Sequence, residues 1–456
     1  MARPRSHFVC QACGAESPRW LGRCPECESW NSFVEESLPS RTDATLRHRQ
    51  QAHVRPTQLS EVDWLEEKRL GTGMSELDRV LGGGIVPGSF LLVGGDPGIG
   101  KSTLLLQTAD HLTRRGLKVL YVSGEESPAQ IRLRAERLAI SGIGLFLLAE
   151  TDLQQIVAAV DHLQPDLLIV DSIQTIMTPE LNSAPGSIGQ VRECANQLMR
   201  LAKQQQIPVV LIGHVTKSGD LAGPKVLEHM VDCVLAFEGD HQQFHRMLRA
   251  VKNRFGPSGE VGLFQMEAGG LREVTQSSEF FLAERLPGVA GNVVVAAIEG
   301  TRPLLVELQA LLVPAPFGTP RRVSHGIDQQ KVSLIMAVLE KRAGLRLSGC
   351  DAYLKIAGGL KLNEPALDLG VAIALASSFT DQPADPSTVV FGEIGLGGEL
   401  RSVYRCEQRV QEAFRQGFTR CIAPAANRRP EGLREMEWIG VRSVQEALEA
   451  SWRGKG

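Results

Sequence analysis

The stretch Gly94–Thr103, Gly-Gly-Asp-Pro-Gly-Ile-Gly-Lys-Ser-Thr, constrains this chain more than any other segment. It closes as Gly95-x4-Gly100-Lys101-Ser102, the spacing of a phosphate-binding loop. The apolar run Ser89–Val93 before it reads as a buried strand and Leu104–Ala109 after it as a helix, so the motif sits in strand–loop–helix context. Glycines let backbone N–H groups turn inward around phosphate oxygens, and the helix N-terminus adds partial positive charge. Gly95, Asp96, Pro97, Gly98, Ile99, Gly100, Lys101, Ser102 and Thr103 are therefore expected to cradle a nucleoside triphosphate. Within that cradle Lys101 is expected to reach the β- and γ-phosphates and Ser102 to ligate Mg²⁺.

The segments around the loop read as a sheet built to carry it. A short helix is expected within Leu70–Leu81, followed by a glycine hinge at Gly82–Gly84. Strands then alternate with helices: Lys118–Ser123, a helix over Pro128–Leu138, Gly144–Leu148, a helix over Leu153–Leu163, and Asp166–Val170. Such alternation predicts a parallel sheet covered on both faces. Asp171 ends an apolar strand where ligands of open α/β sheets bind, and it fits the acidic partner of Mg²⁺. Glu125, ending the neighbouring strand, is the expected orienter of the attacking water, with Glu126 beside it as the alternative. The strand Pro208–Gly213 runs into His214, which is placed to sense the γ-phosphate and pass its loss to the following loop.

At the N-terminus, Cys10-x2-Cys13 and Cys24-x2-Cys27 form two knuckles separated by ten residues. Four thiolates in this arrangement suit tetrahedral Zn²⁺ with no open position, hence a structural site whose folding is coupled to metal binding. Trp20, Trp30 and Phe33 are expected to pack around it. The other five of nine cysteines are scattered singly and read as buried thiols. Residues 35–57 are polar, aperiodic and read as a linker. The net charge of −3 gives no global basic field, so any nucleic-acid contact has to come from local patches. No run of eighteen apolar residues and no signal-peptide core appear, which predicts a cytoplasmic protein with no membrane contact.

Together with Tyr121-Val122-Ser123-Gly124-Glu125-Glu126-Ser127 and Lys252-Asn253-Arg254-Phe255-Gly256, these motifs and their order resemble the RadA (Sms) family of bacterial DNA repair proteins over essentially the whole chain. The resemblance implies a RecA-like ATPase core fuelled by ATP and related to ring-forming helicases of the DnaB type. It also implies a homo-hexamer that works in homologous recombination beside the RecA recombinase, extending or processing branched strand-exchange intermediates on single-stranded and branched DNA. Lys252 and Arg254 project the same way from an extended segment and can reach toward phosphates bound by a neighbouring subunit; the resemblance supports that role and a link to DNA binding. Lys217, Lys225 and Arg246 are weaker candidates for DNA phosphate contacts. A second class remains open, a nucleotide-gated scaffold that loads or stabilises recombination proteins without translocating.

After about Glu284 the chain looks like the proteolytic domain of Lon. The stretch Asn363–Gly370 matches the serine motif of that family but has no serine at the nucleophile's place, and alignment from Gly392 puts Glu407 or a close neighbour, amid Arg405 and Arg409, where the catalytic lysine belongs. The expected domain is therefore an assembly and DNA-binding platform, with Arg321, Arg322, Lys331, Lys341, Arg342 and Arg346 as its charge, and Ser377 and Ser378 as packing residues. The whole is α/β: a four-cysteine zinc module (1–34), a linker (35–57), a RecA-like P-loop core with a parallel sheet (58–275), and a Lon-protease-like α+β domain (284–456).

Overall fold

A computed structural model describes residues 6–10, 15–26, 28, 30–37, 58, 69–181, 183–213, 225–239, 245–315, 319–432 and 435–452. The chain divides into two compact units, Met1–Glu273 and Val274–Gly456. The first opens with a three-stranded antiparallel sheet, β1 (Ser6–Cys10), β2 (Glu16–Ser17) and β3 (Phe33–Ser37), in the order β2-β1-β3. Ser37 pairs with Ser6, so the strand runs through residues 35–37, where the sequence reads as linker. Phe33 is buried as expected, but Trp20 is 52% and Trp30 73% exposed. Trp20 Nε1 donates to the Phe33 carbonyl (3.1 Å) and Trp30 lies under the Arg23 guanidinium, which orders both rings at the surface instead of in a core this small.

The rest of this unit is built on α1 (Ser75–Leu81), β4 (Phe90–Gly95), α2 (Lys101–Arg114), β5 (Val119–Ser123), α3 (Pro128–Arg137), β6 (Leu145–Ala149), α4 (Leu153–Leu163), β7 (Leu167–Asp171), α5 (Ile188–Gln205), β8 (Val209–Ile212), α6 (Lys225–Met230) and β9 (Cys233–Glu238). It ends with β10 (His245–Asn253), β11 (Val261–Glu267) and β12 (Gly270–Glu273). Among the described residues the strands form one sheet in the order β12-β11-β10-β9-β4-β8-β7-β5-β6. From β9 to β6 neighbours are parallel, whereas β10, β11 and β12 extend the sheet antiparallel. Strand residues alternate between two cores: Leu91 and Val93 face one side of β4, Phe90 and Leu92 the other. That double burial explains why the parallel strands read as continuous apolar runs. The short helix expected within Leu70–Leu81 spans Ser75–Leu81; it begins no earlier because Leu70 pairs with Ile85 and the Thr72 N–H is taken by Asp78 Oδ1 (2.8 Å).

The second unit comprises α7 (Ser277–Leu282), β13 (Asn292–Glu299), β14 (Arg302–Pro314), β15 (Arg322–His325), α8 (Gln329–Ala343), β16 (Cys350–Ile356), α9 (Asp368–Thr380), β17 (Thr388–Val390), β18 (Glu393–Ile394), β19 (Leu400–Arg401), α10 (Cys406–Arg415), β20 (Arg420–Pro424), β21 (Glu437–Val441) and α11 (Val444–Trp452). Its mixed sheet runs β15-β16-β14-β13-β17-β20-β21. It starts earlier than the change of texture near Glu284: Phe281 is buried, and Ser278 Oγ accepts the Leu305 N–H (3.1 Å). Ser377 and Ser378 tie α9 to the sheet by accepting the N–H groups of Gly291 (2.8 Å) and Leu312 (2.9 Å). Among the described residues no helix is long and apolar enough to cross a membrane.

Candidate nucleotide-binding site

The loop between β4 and α2 has the backbone that its glycines predict. Gly95, Gly98 and Gly100 all have positive φ, at 150°, 76° and 122°. A Cβ at Gly95 would sit 2.8 Å from Phe237 Cβ, and one at Gly100 would sit 2.9 Å from Met266 Cε. The cradle is thus closed from behind by β9 and β11, and both positions exclude side chains. Lys101 is the first residue of α2 and is buried; its Nζ donates to the carbonyls of Gly95 (2.7 Å) and Asp96 (2.9 Å). Burial lowers its pKa below the ordinary lysine value, while Asp171, Asp96 and Glu125 oppose that shift.

The acidic residues gather at the carboxyl ends of the parallel strands, beside the loop. Asp171, the last residue of β7, lies in register with Ser123 of β5, and its Oδ2 accepts the Tyr121 hydroxyl at 2.5 Å. Burial, and after it the Asp171 charge, push the Tyr121 hydroxyl well above its usual pKa. Tyr121 therefore anchors Asp171, one of the two residues expected to hold Mg²⁺. Glu125 and Glu126 part company: Glu125 accepts from Ser172 Oγ (2.6 Å) next to Asp171, whereas Glu126 is paired with Arg134 of α3. Glycine cradle, buried ammonium, hydroxyl and carboxylate together fit a Mg²⁺–nucleotide complex.

Lys252 and Arg254 lie elsewhere. β10 runs antiparallel to β9, which carries them to the amino ends of the parallel strands. The Arg254 N–H donates to the Asp232 carbonyl, and the Asp232 N–H to that of Phe90, the first residue of β4. From there to Gly95 is five strand residues, about 16 Å, beyond the reach of an arginine side chain. Lys252 Nζ donates to the carbonyls of Glu228 (2.7 Å) and Val231 (2.8 Å) at the end of α6, and burial followed by the Arg254 charge lowers its pKa. Arg254 approaches Asp232 Oδ1 (3.3 Å). Asp232 is a buried hub that sequence reasoning missed: its other oxygen accepts Lys203 Nζ (2.6 Å) and the Phe90 N–H (3.0 Å).

Of the remaining candidates, His214, Lys217, Cys13 and Cys27 lie outside the described residues, as does the side chain of Lys225. Arg246 is no DNA contact: it is buried, and its Nε donates to the Ile99 carbonyl of the loop (3.1 Å). In the N-terminal module Cys10 and Cys24, one from each knuckle, are both buried in a single cluster with Phe33. That convergence of thiols fits a structural Zn²⁺ site. In the second unit Glu407 is exposed on α10, whereas Arg409 points inward together with Val410, Glu412 and Ala413. Fully buried, Arg409 pairs with Glu364 and donates to the carbonyls of Ala296 (2.5 Å) and Tyr404 (3.0 Å). Asp368 pairs with Lys331 (3.0 Å), and burial raises its pKa against the pull of that lysine.

Comparison with known proteins places each module. A rubredoxin metal binding domain matches residues 8–35, an AAA domain residues 54–220, and the ChlI subunit of Mg-chelatase residues 341–427. The fold class is α/β: a RecA-like P-loop core with parallel strands, an N-terminal zinc ribbon and a Lon-like C-terminal domain. Among solved structures, the RadB recombinase aligns at TM-score 0.37 and 26% identity, over 45% of this chain and 99% of that one. DNA repair protein RadA of Bacillus subtilis is 52% identical over 461 residues, covering 100% of both chains, and that of Listeria monocytogenes is 52% identical over 98% of both. The chain belongs to the family of DNA repair protein RadA.

Proposed function

We propose that the chain is a ring-forming motor on single-stranded DNA that uses ATP hydrolysis to extend branched strand-exchange intermediates beside RecA. The coarser part of this reading, an ATPase of DNA repair and recombination that uses ATP, Mg²⁺ and Zn²⁺, follows from family membership and from the AAA and rubredoxin-type matches. Ser102 and Asp171 would hold Mg²⁺, which would supply charge neutralisation at the phosphates. Lys101 exchanges its loop carbonyls for phosphate oxygens. Tyr121 holds the Asp171 carboxylate in place, and Glu125, which accepts from Ser172 beside Asp171, orients the attacking water. His214 senses the γ-phosphate, and Lys217 and Lys225 contact DNA phosphates.

One observation carries the assembled reading: Lys252 and Arg254 sit at the opposite end of the sheet from their own phosphate loop. Cations in that position serve catalysis only across a subunit boundary, which supports a closed homo-oligomer, hexameric by family likeness, with shared sites. The test is branch extension from a three-stranded junction by wild type and by Lys101→Arg. A motor stalls in a variant that binds ATP without turnover. Extension by Lys101→Arg at the wild-type rate would refute translocation and leave the nucleotide-gated scaffold.

A further inference from the structure

We propose that Arg246 is a positioning residue for the phosphate loop, holding the Ile99 carbonyl turned away from the nucleotide so that the Gly100 N–H faces it. The inference rests on the reading of Gly95–Thr103 as the nucleotide site. Arg246, the second residue of β10, is 5% exposed; its Nε donates to the Ile99 carbonyl (3.1 Å) and its Nη1 to the His245 carbonyl (2.8 Å). The carbonyl of Ile99 and the N–H of Gly100 belong to one planar trans peptide and point in opposite directions. Fixing the carbonyl on one side therefore fixes the N–H on the other, into the cradle. A cationic donor on the carbonyl also polarises that peptide, which makes its N–H a stronger donor.

Two further features bear on the same contact. Ile99 is itself buried, and its N–H approaches the Asp96 carbonyl (3.3 Å), so the loop tip is a turn whose outer wall is the arginine. At Gly239, where φ is +153°, a Cβ would lie 3.2 Å from Arg246 Cδ and 3.6 Å from Ile99 Cδ1. The glycine keeps open the lane through which the side chain reaches the loop. Burying a guanidinium is unfavourable unless its hydrogen bonds are met, and here one of them is met by the element that binds phosphate.

The experiment uses the full chain and its Arg246→Gln and Arg246→Lys variants, with a fluorescent ADP and Mg²⁺ as probe, alongside thermal unfolding without nucleotide. Arg246→Gln is expected to weaken ADP binding about tenfold, the scale of one lost charge-assisted hydrogen bond. Arg246→Lys, which retains a cationic donor, falls between that variant and wild type. Folded Arg246→Gln with ADP affinity within about twofold of wild type overturns the proposal. If Arg246→Gln does not fold, Arg246→Lys decides: unchanged affinity overturns the proposal and weakened affinity at an unchanged unfolding midpoint supports it. Lys101→Ala separates the two readings, since ADP binding undiminished in that variant removes the nucleotide site itself, whatever the arginine variants do.

Discussion

If Lys252 acts on a neighbour's nucleotide, two inactive variants restore each other on mixing. Lys101→Ala destroys the loop of its own subunit and keeps the cations; Lys252→Ala does the reverse. On that reading, the separation of about 16 Å along β4 between Gly95 and the level of Arg254 keeps a subunit's cations from its own loop. Loss of a cation that stabilises phosphoryl-transfer charge costs about 10³-fold or more, so each variant alone has negligible turnover. In a randomly assembled equal mixture, one interface in about four pairs an intact loop with an intact Lys252. DNA-stimulated phosphate release is then expected at about a quarter of the wild-type rate, rising and falling as the product of the two fractions as the mixing ratio is varied. A mixture as inactive as its parents at every ratio, in subunits shown to exchange, would refute the shared site.

Gly100→Ala should abolish ATP hydrolysis while the chain folds, because the cradle needs a φ of 122° at this position, a backbone that strains any side chain; activity near wild type would contradict the loop geometry. Arg409→Met leaves the Glu364 carboxylate without its cation and should lower urea stability by about 3–5 kcal/mol, most of it recovered in Arg409→Met with Glu364→Gln; a loss below about 1 kcal/mol would show the pair to be dispensable. The thiols of Cys194 and Cys233 are pushed up to about 12 by burial. The folded chain keeps these protons where the unfolded chain releases them, so each thiol's contribution is intact below the ordinary cysteine range and lost as pH rises from about 9 toward 12. Urea stability should fall by about 1.4 kcal/mol per pH unit per thiol across that window, and replacing both by alanine should flatten the fall. Cys24→Ser should reduce bound zinc from about one per chain to near zero, as read by elemental analysis.

What the sequence made legible is what lies within one turn of chain. The phosphate loop, Asp171 and Glu125 each sit at the end of an apolar run, and their neighbours in sequence are their neighbours in the site. In the sequence Tyr121 is one apolar strand position among several; its hydroxyl matters because β5 and β7 pair, which no local pattern states. Arg246 read as a surface cation for the same reason. Its burial depends on β10 lying beside β9 and on the lane left by Gly239, contacts across pairings that only the folded sheet makes. The tryptophans of the ribbon misled in the other direction, since a module this small has no interior for them. On α10, alignment pointed at Glu407 or a near neighbour, and helical phase turns Arg409 inward and Glu407 to solvent.

β10 links two places that chemistry keeps apart. Near one end Arg246 grips the loop that holds a subunit's own fuel, and near the other stand Lys252 and Arg254, the cations proposed to serve the fuel of the next. Between them β10 pairs with β11 over His245–Arg249 and with β9 over Met247–Asn253, so one partner or the other holds the strand along its whole length. The register shift between Ala250 and Lys252, where pairing with β9 slips, is the joint at the far end. If Lys252 and Arg254 serve a neighbouring subunit as proposed, a single strand of nine residues joins the grip on one nucleotide to the cations of the next.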